Sequence, residues 1–297
     1  MKASVMATRR GRIDTRALGL DVAAELARFL TGRENLHYGI WEPGVEVCAA
    51  NLRQAQEAYS KRLFELIAPP SIRILDIGGG CGETARALTD LGHKVEIIVP
   101  SRVMADRCKA NTGGAVPVHL MRFEEFESAA RFDLCLFSES FQYIPVAAAL
   151  AKAGSCLAEG GEILVADCFR SEKFFSEFTD VGIVGGGHGE AAFREALSVS
   201  GFEVVFEEDI TDAVAPSVDL EQQLFNLLGF MAERFNEDFS LAFPLRHRLL
   251  RFGLRFLLNR RRLGRLERRL FGDFKNASLF RRYNRYLVVK LKPSLTR

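Results

Sequence analysis

Ile74-Leu75-Asp76-Ile77-Gly78-Gly79-Gly80-Cys81-Gly82-Glu83-Thr84 joins an apolar strand pattern to a glycine-rich turn and then to a helix-forming stretch. The turn asks for glycine twice over: a chain leaving a strand this way needs positive φ, and a ligand must approach bare backbone. Gly78, Gly80 and Gly82 meet both needs. The spacing is not that of a dinucleotide turn, which reads G-x-G-x-x-G and presents a helix N-terminus to a pyrophosphate. Here the glycines fall at alternate positions with Asp76 just ahead of them, and a carboxylate there repels phosphate. The same geometry suits an amino-acid-bearing nucleoside with no phosphate.

The segment resembles motif I of class I S-adenosylmethionine-dependent methyltransferases. The resemblance implies an α/β fold with a Rossmann-like, seven-stranded, mostly parallel sheet and helices on both faces. It also implies S-adenosyl-L-methionine as cofactor, with Asp76, Gly78, Gly80 and Gly82 among its binding residues. A nicotinamide-binding turn and an inert βα turn are the other readings of these letters.

Outward from the turn, strand and helix patterns alternate, as a parallel sheet requires. Strands are expected over Ile72 to Ile77, Lys94 to Val99, Val116 to Met121, Phe132 to Phe137, Glu162 to Ala166, Phe202 to Glu207 and Tyr286 to Leu291. Helices are expected over Thr84 to Leu91, Arg102 to Lys109, Val146 to Cys156 and Glu190 to Ser198, with a turn at Glu159-Gly160-Gly161. Ahead of them, Leu52, Ala55, Tyr59, Leu63 and Leu66 recur at helical spacing within 47–67, and Pro69-Pro70 stop that helix. The expected organisation is a helical lid over 1–70, the cofactor-binding core over 71–210, and a helical insertion over 211–279 that caps the acceptor site. The final strand and tail occupy 280–297. The run Gly182 to Gly189 reads as a flexible loop beside the site.

Ligands in open parallel sheets bind beyond the carboxyl ends of the strands. After the fourth strand comes Ser138-Glu139-Ser140-Phe141-Gln142-Tyr143-Ile144-Pro145, similar to the segment at that place in tocopherol and sterol C-methyltransferases. Glu139 is the leading catalytic candidate: methylating a carbon leaves a cation or a departing proton, and a carboxylate in a dry pocket serves either. The competing reading makes Glu139 a helix cap. Tyr143 stands where those relatives often place histidine. Upstream, Leu36-His37-Tyr38-Gly39-Ile40-Trp41 resembles the His-Tyr-Gly segment of the tocopherol and cyclopropane fatty acid synthase group. The resemblance makes His37 a catalytic candidate and has Tyr38 and Trp41 close over the cofactor, where an aromatic face attracts a sulfonium. An aromatic staple packed into the core is the alternative.

Two features usual in these methyltransferases are absent. The second strand ends Val99-Pro100-Ser101 with no carboxylate for ribose, which leaves Ser101, backbone groups or another acid. After the third strand, Arg122-Phe123-Glu124-Glu125 displaces the acidic partner of adenine, with Phe123 left to stack on the base. Ser138 completes the expected cofactor set. Asp167, after the fifth strand, ranks lower, since aspartate there often forms a turn.

The chain has 297 residues, ample for a full core, and its 48% hydrophobic and 26% charged content is that of a globular protein. Cysteines at 48, 81, 108, 135, 156 and 168 form no C-x-x-C pair, which points to reduced thiols and a cytoplasmic setting. Histidines at 37, 93, 119, 188 and 247 lack ligand spacing, so no metal is expected. Neither a secretory signal nor a membrane span is expected. The formal net charge is only +2, yet residues 246–297 hold 17 Arg and Lys against Glu267 and Asp273. Leu245, Leu249, Phe252 and Phe256 fall on one helical stripe, with Arg248, Arg251, Arg255 and Arg262 beside it. Such a basic region, over 245–285, suits the inner face of an anionic membrane, internal pairing with the acidic remainder, or, last, RNA.

The expected function is methyl transfer from S-adenosyl-L-methionine to a hydrophobic small molecule: a lipid, an isoprenoid or another natural product, at carbon or oxygen. An RNA methyltransferase and a non-catalytic Rossmann-like partner protein are the rivals. Nothing in the letters fixes the oligomeric state.

Overall fold

The computed structural model describes residues 15–67, 71–177, 184–257, 260–272 and 275–294, with side chains except at 16, 254–257, 260–263 and 265. Pro69, Pro70 and Gly182, and the side chains of Arg255, Phe256 and Arg262, lie outside what is described.

In chain order the elements are α1 (Thr15–Thr31), α2 (Leu52–Phe64), β1 (Arg73–Ile77), α3 (Glu83–Asp90), β2 (Lys94–Val99), α4 (Arg102–Asn111) and β3 (Val118–Leu120). There follow β4 (Phe132–Ser138), α5 (Val146–Cys156), β5 (Leu157–Arg170), α6 (Glu172–Glu177), β6 (His188–Gly189), α7 (Glu190–Ser198) and β7 (Phe202–Asp209). The chain continues through α8 (Thr211–Val214), α9 (Pro216–Ala242), α10 (Pro244–Leu257), α11 (Arg260–Phe271) and α12 (Ala277–Tyr283) to β8 (Asn284–Pro293). The sheet order is β3-β2-β1-β4-β5-β8-β7, with the two-residue β6 added beside β5. β1 to β5 run parallel and β8 antiparallel to both its neighbours, so the expected Rossmann-like sheet is present.

Alternation along the strands builds a core on each face. Ile74, Ile97, Val99, Leu134, Leu136 and Leu164 pack with Tyr59 and Leu63 of α2 and with α3 and α4. Leu75, Ile77, Ile98, Cys135, Phe137 and Ile163 pack on the other side with α5 and α7. The first core also takes in Ala24 of α1, Val214 and Val218 of the insertion and Phe280 of α12, so the lid and the insertion share apolar packing with the sheet.

The differences from the sequence reading have local causes. The expected turn at Glu159-Gly160-Gly161 is a bulge inside β5: pairing steps from Phe132↔Leu157 to Leu134↔Glu162, and an added Cβ at Gly161 would meet Phe132 O at 2.9 Å. β5 also runs on to Arg170, because β8 pairs with it as far as Asn284. The glycine run does not read as a loose loop where it is described. Added Cβ atoms at Gly185 and Gly186 would meet Asn284 and Gln142 at 2.8 and 2.2 Å, and Gly187, at φ +101°, lies against Cys168 O. Gly185 and Gly186 thus make room for two side chains, and Gly187 for neighbouring backbone. All six cysteines are unpaired. Among the described residues, no helix is long and apolar enough to cross a membrane.

Candidate active site

The carboxyl ends of β1, β2, β3 and β4 open on a cavity of about 470 Å³, within the roughly 300–1,000 Å³ range of small-molecule sites. Asp76, Gly78, Gly80, Ser101, Phe123, Ser138, Glu139, Tyr143 and His37 line it, so most of the expected site residues come together. α1 adds Ala17 and Leu20 to the wall, and the following segment adds Glu34, Asn35 and Leu36.

The glycines divide their labour. Gly78, at φ +74°, has its N–H on Ile98 O at 2.8 Å, and an added Cβ would lie 2.5 Å from Ser140 Cβ. Gly80, at φ +53°, has nothing nearer to such a Cβ than Leu36 Cδ1 at 3.8 Å, so its missing side chain leaves room on the cavity side. Gly82 does not line the cavity. It caps α3, and its close approach to Cys108 Cα, 3.0 Å from an added Cβ, lets α3 meet α4.

Asp76 is buried and its Oδ2 has no hydrogen-bond partner among the described residues. Burial alone raises its carboxyl to about 7. An orphaned buried carboxylate oxygen in a cavity wall is a place for a ligand cation. It is the observation that fits the chain to the ammonium of an amino-acid-bearing cofactor.

Glu139 follows β4 directly and adopts φ +54°, left-handed backbone that costs a non-glycine residue roughly 1 kcal/mol or more. Its N–H donates to Ala166 O at 2.8 Å, while the next residue, Ser140, donates through Oγ to Ile77 O. Oε1 accepts from the Tyr38 N–H at 2.8 Å and from the Tyr286 hydroxyl at 2.9 Å. Burial raises the carboxyl to about 8; the two donors oppose that rise and the nearby Asp167 adds to it. No helix starts at Glu139: a short turn over Phe141–Tyr143 follows, held by Asp167, whose Oδ2 accepts the Gln142 N–H at 2.9 Å. The helix-cap reading therefore fails, and Asp167, outside the cavity wall, anchors this turn.

A chain of hydroxyls backs Glu139. Tyr286 Oη lies 2.9 Å from Tyr59 Oη, which lies 3.0 Å from Ser138 Oγ. A hydroxyl has one proton, so when Tyr286 donates to Glu139 it accepts from Tyr59, which in turn accepts from Ser138. Neither tyrosine was singled out by the sequence pattern as a site residue. Tyr59 read as one member of a helical apolar stripe, and nothing local links it to a strand residue far along the chain.

Three aromatic and imidazole candidates take other places. His37 lines the cavity but is stacked on Tyr59 at 4.3 Å, with Nδ1 2.8 Å from Tyr38 O and Nε2 3.4 Å from Ser60 Oγ. Burial lowers it to about 4, so it is neutral and both ring nitrogens are occupied. Tyr38 and Trp41 do not line the cavity. The Tyr38 ring packs on Phe280 and Tyr286, and Trp41 Nε1 donates to Ser217 Oγ at 2.9 Å, tying the segment to the start of α9. Tyr143 lines the cavity with 55% of its surface exposed, so it sits at the opening. Among the described residues, none of the insertion lines this cavity, so its expected role as a cap over the acceptor finds no contact here.

The clasp on α1 leaves no sign in the letters. Arg107 of α4 reaches Asp21 and Glu25 of α1 at 2.6 and 2.7 Å and Glu34 of the cavity wall at 2.8 Å. Glu34 also accepts from Asn111 at 3.0 Å. Besides Asp76 and Glu139, the acids of the cavity wall are Glu34, Glu83 and Glu124.

A parallel sheet with a glycine turn, an orphaned carboxylate and a small-molecule cavity at its carboxyl edge defines a nucleoside-binding α/β protein. Over residues 51–207, more than half its length, the chain matches the family described as Methyltransferase domain and belongs to that family. It is 33% identical over 87 residues to an uncharacterized methyltransferase of Bacillus subtilis (strain 168), a match covering 28% of this chain and 37% of that protein. The chain thus spans well under two thirds of that relative. Among solved structures, a cyclopropane synthase of Mycobacterium tuberculosis superposes with TM-score 0.66 at 16% identity, over 92% of this chain and 95% of that one. Geranyl diphosphate C-methyltransferase of Streptomyces coelicolor A3(2), solved with S-adenosyl-L-homocysteine bound, superposes with TM-score 0.63 at 13% identity, over 93% and 96%. These likenesses establish the fold.

Proposed function

We propose that the protein transfers a methyl group from S-adenosyl-L-methionine to a hydrophobic small molecule of the lipid, isoprenoid or natural-product class, with carbon ahead of oxygen as the acceptor. The observation that carries this reading is the presence of two carboxyls in one cavity with opposite support: Asp76 Oδ2 unpartnered, Glu139 held by two donors. The bound cofactor supplies a methyl group made electrophilic by its sulfonium. Asp76 would accept from its ammonium, the Gly78–Gly80 backbone would lie beside its methionine part, and Ser101 and Phe123 would hold ribose and adenine.

Glu139 then either takes the proton that a methylated carbon releases or stabilises the cation before release. Its carboxyl, brought near neutrality by burial, suits a base that must also give the proton up again. Tyr286 and Tyr59 fix the carboxylate, and holding acceptor and methyl in line would supply most of the rate. The family to which the chain belongs supports the reaction type. A protein of the same fold named for C-methylation of geranyl diphosphate supports carbon and the isoprenoid class.

Calorimetric titration with S-adenosyl-L-methionine and S-adenosyl-L-homocysteine tests the reading, followed by transfer of labelled methyl into lipid extracts. Micromolar binding with label in the organic phase is expected. Absence of binding to either compound overturns it in favour of a non-catalytic partner.

A further inference from the structure

The basic region divides into two parts of different behaviour. From residue 269 onward the charges are largely answered inside the protein. Lys275 meets Glu221 at 2.8 Å, Arg281 meets Asp212 at 2.7 Å, Arg282 meets Glu177 at 2.6 Å, and Lys292 meets Glu162 at 2.9 Å. α10 differs. It contains no acidic residue, and Arg248 and Arg251 have no ion pair among the described residues.

α10 is seated on α9 through the turn that joins them. His247 Nε2 lies 2.8 Å from Asn236 Oδ1, and the Phe239 ring meets those of Phe235, Phe243 and His247 at the turn between α9 and α10. Away from that contact, Leu245, Leu249 and Phe252 recur at i, i+4 and i+7 and are 74%, 72% and 64% exposed. Such exposure at three large apolar residues in one row is far beyond the scattered apolar residues of an ordinary surface. Arg248 and Arg251 border the row on one side and Arg246 on the other.

This combination selects the occupant. A protein partner's core would bury unpaired guanidinium groups at several kcal/mol each. A phosphate backbone would leave the leucines and the phenylalanine in water. An anionic bilayer answers both, with phosphate headgroups at the level of the arginines and acyl chains just below. We propose that α10 docks on an anionic membrane surface, with Leu245, Leu249 and Phe252 in the acyl boundary and Arg246, Arg248 and Arg251 among the headgroups. The proposal does not depend on the chemistry assigned to the cavity.

Co-sedimentation of the full chain with phosphatidylcholine vesicles, with and without phosphatidylglycerol, reads it out. Binding is expected only with phosphatidylglycerol, weakening as salt rises. Arg248→Gln with Arg251→Gln should lower partitioning roughly tenfold, and Leu249→Ser with Phe252→Ser should abolish it. All four positions are exposed, so melting temperature and cofactor affinity should stay at wild-type values. Equal sedimentation with and without vesicles overturns the proposal, and so does unchanged partitioning of the Leu249/Phe252 variant. Binding to polyuridylate in place of vesicles would show an RNA surface, and a dimer dissolved by Leu249→Ser with Phe252→Ser would show a self-association face; either result overturns it too.

Discussion

Glu139 is a carboxyl whose position is fixed by backbone on one side and phenol on the other, and replacing it with glutamine isolates its ionisation. The amide oxygen can still accept from the Tyr38 N–H and the Tyr286 hydroxyl, so the geometry survives and the base does not. Glu139→Gln should lower kcat by about 10²–10⁴-fold while leaving cofactor affinity nearly unchanged by calorimetry; equal loss of both would make the residue scaffold. Stability should move the other way. The carboxyl is raised from 4.5 to about 8 by burial, so between those values the unfolded chain ionises first. The native state therefore loses stability as pH rises through that window and no more above it. The variant has no such loss, so the gap in melting temperature should open from pH 4.5 to 8 and then level off; a flat gap would mean an ordinary carboxyl. Asp76 and Glu139 were legible in the sequence because each adjoins a strand end that the pattern located. Tyr59 and Tyr286 were not, since 227 residues separate two phenols that meet only across the finished sheet.

At the scale of elements, α1 is held to the cavity by charge as well as by the packing of Ala24. Arg107 gathers Asp21, Glu25 and Glu34, and α1 supplies Ala17 and Leu20 to the wall. Arg107→Ala should weaken cofactor binding roughly tenfold, the scale of a lost multidentate charge contact, while sparing kcat at saturation. Faster proteolytic cleavage within 15–31, slowed again by cofactor, would accompany it. Unchanged affinity would show that α1 is seated by apolar packing alone. The sequence offered a helical lid over 1–70 but not this latch, because acids four residues apart, such as Asp21 and Glu25, look like any solvated helix face. The segment 37–41 carries the same lesson in reverse. Its letters announced an aromatic closure, but local pattern does not say which side of a segment faces a ligand. Ser217 and Phe280 decided that, and they turned Trp41 and Tyr38 toward the insertion.

For the molecule as a whole, alternation of strand and helix was enough to give the sheet and the edge where the cavity lies, since connection rules leave few topologies for such a pattern. What remained hidden was how the charge imbalance resolves. The sequence shows an acidic body and a basic tail, and only the packed structure separates the arginines answered at home from those of α10.

The strand order carries a last implication, for how the molecule comes into being. β8 follows β1 to β7 in the chain, yet it lies between β5 and β7. Until it arrives, β5 and β7 are raw edges, and the Phe- and Leu-rich helices before it have already emerged without a completed sheet beneath them. Pairings this distant in the chain form slowly, and their precursors are prone to aggregate. Removing residues 284–293 should therefore abolish cooperative melting and cofactor binding together; a truncated chain that still binds would refute this. Tyr286 rides on the same strand, so Glu139 gains its phenol donor only when the sheet closes. A copy in which β8 has not docked therefore holds Glu139 without that phenol.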